Sequence, residues 1–249
     1  KIRSTIILDV GKIFKINEKK LINICAAVEC VHSYSLIHDD LPCMDNDSTR
    51  RGKPAAHKKF GEATAVLAGN SLLTLAFELI TDRNYLINEK KKIEIIKFLA
   101  NRSGHTGIAG GQELDLKFEN KKKKTSEILD MQKKKTGKLF NFCFYAVGIV
   151  ANKNKNDKIF LSKLGEDIGL LFQFTDDFLD ITGSKKIVGK PIKKDKKKGK
   201  STLLDLMGYE KAYKYAKNLK NKILFKLKKY GKNKKDLIET IEFILGRNF

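Results

Sequence analysis

Phe172-Gln173-Phe174-Thr175-Asp176-Asp177-Phe178-Leu179-Asp180 sets three carboxylates and an amide among aromatic and aliphatic side chains. Gln173 and Asp177 stand one helical repeat apart, as do Asp176 and Asp180, so a helix puts them on one face. Like charges on one face repel unless something positive lies against them. The flanking Phe172, Phe174, Phe178 and Leu179 argue against a solvated surface. The stretch therefore reads as a helix with one side in an apolar core and an acidic side turned toward a cation. Hard carboxylate oxygens suit Mg²⁺, which is usually held by one or two carboxylates together with substrate phosphates.

Outward from this stretch the helical period continues over 155–182 and recurs along the chain. Further helices are expected over 21–37, 63–79, 93–109, 126–132, 136–151, 202–229 and 234–245. Residues 63–79 are apolar nearly all round, which predicts a buried central helix. The chain has three prolines in 249 residues, a scarcity that suits long helices. No period-2 strand or hairpin pattern stands out, and loops are expected at 42–59, 84–91, 118–124 and 183–200. The fold class expected is all-α, a single-domain bundle of roughly eight to ten helices over residues 1–249. No run of 18 apolar residues predicts a membrane span. The chain opens on Lys1-Ile2-Arg3 and is expected to be a fragment without its first helix.

A second acidic cluster, Asp39-Asp40-Leu41-Pro42-Cys43-Met44-Asp45, runs into Arg50-Arg51-Gly52. His32 lies about two helical turns before Asp39, on the same wall. Arginine forks match phosphate oxygens, so acids, arginines and a histidine within twenty residues suit a metal-bridged diphosphate. Lys135-Thr136-Gly137 is expected to open a helix whose first amides meet an anion. Gly104 to Gln112 is glycine-dense, which suits close helix packing. Gly199-Lys200-Ser201-Thr202 lacks the earlier glycine and the strand of a nucleotide-binding loop. Net charge is +22. The lysine runs at 121–124, 133–135 and 193–200 mix with Asn and Ile and carry no interleaved aromatics. They read as solvated faces rather than as a nucleic-acid surface. Cys25, Cys30, Cys43 and Cys143 form no metal spacing and are expected as reduced thiols.

Taken in order, His32 to Asp45, Arg50 to Pro54, His57 to Ala63, Gly110-Gly111-Gln112, Lys135-Thr136-Gly137, Phe172-Gln173 with Asp176-Asp177-Asp180, Gly189-Lys190 and Gly199 to Thr202 make the chain resemble the trans-type isoprenyl diphosphate synthases. Within them it is most similar to the bacterial-type farnesyl diphosphate synthases. The resemblance implies the isoprenoid synthase fold, helices around a central cavity, and head-to-tail condensation of isopentenyl diphosphate with an allylic diphosphate. It implies Mg²⁺, three ions when diphosphate is bound, on Asp39, Asp45 and Asp176, with Asp40, Asp177 and Asp180 in support. Arg50, Lys135, Lys190 and Lys200 would hold the allylic diphosphate, and Arg3, His32 and Arg51 isopentenyl diphosphate. Thr136 and Gln173 would face the carbocation, and Tyr34 would stop the growing tail at fifteen carbons. A homodimer in the cytoplasm is implied, or in an organelle if a targeting segment precedes Lys1.

Two departures qualify the likeness. The family's Gly-Gly-Lys-x-x-Arg element is represented only by Lys1-Ile2-Arg3, and Ser48-Thr49 replaces an acidic residue and leucine after Asp47. Competing readings are a geranyl or geranylgeranyl diphosphate synthase, a terpene cyclase, a non-catalytic partner subunit, or a basic helical protein that binds polyanions. Two intact Asp-Asp motifs weigh against the last three.

Overall fold

The computed structural model describes residues 1–182 and 202–245, without the side chains of Asp180, Ile181, Thr182 and Leu245. Helices dominate the described residues. In order they are α1 (Ile2–Ile13), α2 (Ile22–Asp39), α3 (Ala56–Phe60), α4 (Glu62–Thr81), α5 (Glu89–Ser103), α6 (Ile108–Phe118), α7 (Thr125–Gln132), α8 (Lys138–Val150), α9 (Lys155–Thr182), α10 (Leu203–Met207), α11 (Tyr209–Leu227) and α12 (Lys235–Leu245). The all-α reading holds.

The central helix is α8. Every residue from Leu139 to Val150 is buried except Tyr145, and α1, α2, α5 and α9 pack around it. Phe140, Phe142 and Phe144 are fully buried, each contributing about 1.5–3 kcal/mol by leaving water. The buried Asn141 is satisfied on both sides: its Nδ2 donates to the Ser162 carbonyl at 3.0 Å, and its Oδ1 accepts from Arg102 Nε at 2.9 Å.

The expectation for residues 63–79 is corrected. Helix α4 packs along α2 through Ala65, Gly69, Ala76 and Ile80, while Leu67 on the far side is 65 % exposed. Small residues at the contact let the two backbones approach closely, so one face suffices for the packing. Apolar composition alone does not say how many faces are covered. Among the described residues α4 is also the one helix long and apolar enough to cross a membrane by length and composition, with mean hydropathy 1.6.

Three local expectations also change. Asn88 caps α5, its Oδ1 accepting from Lys91 N at 3.0 Å; the helix ends at Ser103, and the glycine-dense stretch starts a separate helix, α6. The helix expected over 202–229 breaks at Gly208, after a capping box between Thr202 and Asp205. Inside the expected loop 42–59 lies a minimal antiparallel pair, β1 (Thr49–Arg50) with β2 (Lys53–Pro54), followed by α3. Two-residue strands are too short to show a period. Their signal is the turn, where Arg51 and Gly52 both have positive φ, 53° and 75°, as a tight two-residue hairpin requires.

Candidate active site

The first acidic cluster is a curled loop at the end of α2. Pro42 cannot continue the helix, and the chain folds back through Asp45 N to Asp39 O at 2.8 Å, Asn46 N to Leu41 O at 3.0 Å and Asp47 N to Asp40 O at 3.1 Å. Asp45 thus returns to the backbone of Asp39. The Asp39 carboxyl is pushed up to about 6, chiefly by burial, with the Lys135 charge pulling down and Asp45 pushing further up. Asp40 is buried and receives the Arg50 guanidinium on both oxygens, through Nε at 3.1 Å and a shorter bond from the second nitrogen. Arg50 also lies 3.8 Å from Asp47. The hairpin therefore anchors the loop through Arg50 and carries Arg51 at its exposed tip.

A cluster of basic groups stands beside this loop. His32 is driven down to about 2, first by burial and then by the charges of Arg3, Arg51 and Arg50. It is a neutral imidazole in the field of three guanidiniums. Arg3 is buried, its guanidinium carbon 5.1 Å from the centre of the Phe140 ring and its Nε without a protein partner. Burial lowers its pKa, opposed by Cys143, Glu29 and Asp176. Asp176 of the second motif is thus within electrostatic reach of the arginine that flanks His32. Such a concentration of positive charge suits an anion.

The two acidic motifs meet through one turn. Lys133–Gly137 is a π-helical turn inside backbone that stays helical from α7 through α8. The expectation that Lys135-Thr136-Gly137 opens a helix is therefore corrected: there is no free N-terminus there, and only the Lys135 ammonium and the Thr136 hydroxyl can serve. Such widened turns concentrate at functional sites. Lys135 Nζ reaches Asp115 Oδ2 on α6 at 2.6 Å and acts on Asp39. Thr136 Oγ1 donates to Gln173 Oε1 at 3.0 Å. Gln173 Nε2 donates to Asp177 Oδ1 at 2.9 Å, and Gln132 Nε2 to its Oδ2 at 3.4 Å. The shared face expected for Gln173 and Asp177 is present, and Phe174 and Phe178 behind it are buried.

Between the loop and α6 lies a cavity of about 250 Å³ lined by Tyr34, His38, Asp39, Ile108, Gln112 and Lys135, among others. Tyr34 is buried, its phenol pushed up to about 12 by burial and then by the Asp39 charge. Its hydroxyl points to the Ser103 carbonyl at 3.5 Å.

Among the described residues no three His, Cys, Asp or Glu side chains converge into a ready metal cage. The donors nevertheless fit Mg²⁺, which needs only one or two carboxylates beside a polyphosphate. Burial and the Asp45 charge raise the Asp39 carboxyl, a penalty on its charged form that a divalent cation relieves. The buried Gln112 Oε1 has no protein partner, while its Nε2 lies 3.4 Å from Asp45.

Lys190, Lys200 and the Asp180 side chain lie outside the described residues. The structure adds residues that the motif reading did not assign: Asp115, which holds Lys135; Gln132, which holds Asp177; and Asp47. Gln112, named in the sequence only as part of a glycine-dense stretch, also lines the cavity.

A polyprenyl synthetase family model matches residues 1–241. The chain is 42 % identical to the farnesyl diphosphate synthase of Bacillus subtilis over 213 residues, 85 % of this chain and 72 % of that one. It is 38 % identical to the Escherichia coli enzyme of the same name over 253 residues, covering this chain fully and 85 % of that one. A geranyltransferase of Helicobacter pylori, solved with magnesium and isoprenyl diphosphate, superposes with a TM-score of 0.84 at 32 % identity, over 98 % of this chain and 82 % of that one.

Proposed function

The chain belongs to the polyprenyl synthetase family, and from that premise we propose that it forms farnesyl diphosphate from isopentenyl diphosphate and dimethylallyl or geranyl diphosphate. The carrying observation is the pairing of a neutral histidine in the field of Arg3, Arg50 and Arg51 with two acidic motifs that meet at one π turn. Two diphosphates need two cationic sites. Arg3, His32 and Arg51 suit isopentenyl diphosphate. Lys135 and Arg50, with Lys190 and Lys200, suit the allylic one. Asp39, Asp45 and Asp176 are proposed to hold Mg²⁺, with Asp40, Asp177 and Asp180 behind them. When bound, Mg²⁺ neutralises charge on the diphosphate leaving group.

The allylic C–O bond breaks and its electron pair leaves with diphosphate. The double bond of isopentenyl diphosphate attacks the cation, and a proton passes to the departed diphosphate. Lys135 faces the charge that develops. The Thr136 proton is committed to Gln173, so the lone pairs of Thr136 Oγ1 remain for the cation. Asp177 accepts only, which fixes Gln173 with its carbonyl oxygen toward Thr136.

Tyr34 is proposed to stop the tail at fifteen carbons, because it walls the cavity beside Asp39. Tyr34→Ala should move products toward twenty carbons or more. A homodimer is proposed through the exposed side of α4, in the cytoplasm, with residues 1–249 as one catalytic domain. Asp39→Ala and Asp176→Ala test the chemistry: each should cost about 3–4 kcal/mol in the transition state, a factor of roughly 10²–10³. Near-full turnover by a folded Asp176→Ala protein would contradict it.

A further inference from the structure

Helix α4 approaches α2 closely behind the product cavity. A β-carbon at Gly69 would lie 2.0 Å from His38 Nε2, so only a glycine leaves room for the ring. The same nitrogen lies 3.1 Å from the Val66 carbonyl. A carbonyl can only accept, so Nε2 carries the proton. His38 is thus fixed from behind by α4. Its front lines the cavity together with Tyr34, and it meets the Tyr34 ring edge to face, 5.7 Å between centres at 84°. The Tyr34 hydroxyl bond to Ser103, at 3.5 Å, is too long to pin the ring by itself. The edge contact and the packing around it hold the ring.

We infer that His38, backed by Gly69 and the Val66 carbonyl, is a positioning residue that holds Tyr34 in place and so sets product length. The inference rests on the prenyl-transfer reading above and adds a layer behind Tyr34. It predicts opposite shifts from two substitutions. Gly69→Ala pushes the imidazole toward the cavity and shortens it. His38→Ala removes the support of Tyr34 and lengthens it.

The test is chromatography of products formed from dimethylallyl and isopentenyl diphosphates with Mg²⁺, read as ratios so that loss of turnover does not matter. Gly69→Ala should raise the ten-to-fifteen-carbon ratio at least about threefold, and His38→Ala should raise the twenty-to-fifteen-carbon ratio by as much, the scale of an aromatic edge contact. In the double variant the added methyl meets no ring, so its ratios should match those of His38→Ala alone. Unchanged ratios in both single variants would overturn the inference, as would a Gly69→Ala effect that persists without the imidazole. If Gly69→Ala fails to fold, the direction seen in His38→Ala decides. A parent protein that makes no prenyl product at all overturns the catalytic reading instead.

Discussion

His32 shows how one residue carries two messages. In sequence it is a histidine two turns before an acidic motif; in the fold it is neutral among Arg3, Arg50 and Arg51. Its folded pKa of about 2 lies below the ordinary 6.5. Between those values the unfolded chain binds a proton that the folded chain refuses. Stability of the ligand-free protein should therefore be unaffected by His32 above pH 6.5 and fall as pH drops below it, by up to about 1.4 kcal/mol per pH unit. His32→Gln should remove that slope, measured by urea unfolding at pH 7 and pH 5; an equal slope in both proteins would contradict a neutral His32 in the folded protein. That Asp39, Asp40, Arg50, Lys135 and Gln173 come together was legible because their chemistry is written in their types. Asp115 and Gln132 were not, because a lone Asp or Gln on a helix gives no sign of which neighbour it will meet.

At the scale of elements the π turn organises the site. It turns Lys135 toward α6 and α2 while Thr136 meets α9. Its placement depends on Gly111, where a β-carbon would lie 2.2 Å from the Lys135 backbone nitrogen. Gly111→Ala should therefore displace the turn, at a cost of about 1–3 kcal/mol in stability and roughly tenfold or more in turnover. A melting curve with steady-state rates checks it, and parent-like rates would separate the turn from catalysis. The start of helix α9 was legible because its period is strong; in the structure Asn154 caps it, Oδ1 accepting from Asp157 N at 2.9 Å. The π turn was not. Its sequence, Lys133-Lys134-Lys135-Thr136-Gly137, reads locally as a start, and only packing against α6 and α9 makes it an interruption.

For the whole molecule the charge of +22 explains little of the site. Lysines such as Lys117 sit on exposed helix faces, here 2.6 Å from an equally exposed Glu113, where such pairs contribute little. The larger-scale feature is the α3–α4 surface, with Phe60 60 % and Leu67 65 % exposed. A monomer seldom leaves such a face bare. Sedimentation should give about twice the chain mass of 28.2 kDa, and Leu67→Lys should shift the protein toward monomer; a monomeric parent at micromolar concentration would contradict the proposed dimer. Sequence revealed the helical class and not this surface, because an apolar helix looks the same whether its own chain or a second copy covers it. The central claim concerns chemistry, and one assay meets it most directly. Purified protein is incubated with Mg²⁺, geranyl diphosphate and radiolabelled isopentenyl diphosphate, and the products are separated by chain length. The account predicts a labelled fifteen-carbon diphosphate as the main product, lost when Mg²⁺ is chelated; a folded protein that yields no prenyl diphosphate, or yields it undiminished without the metal, would contradict it.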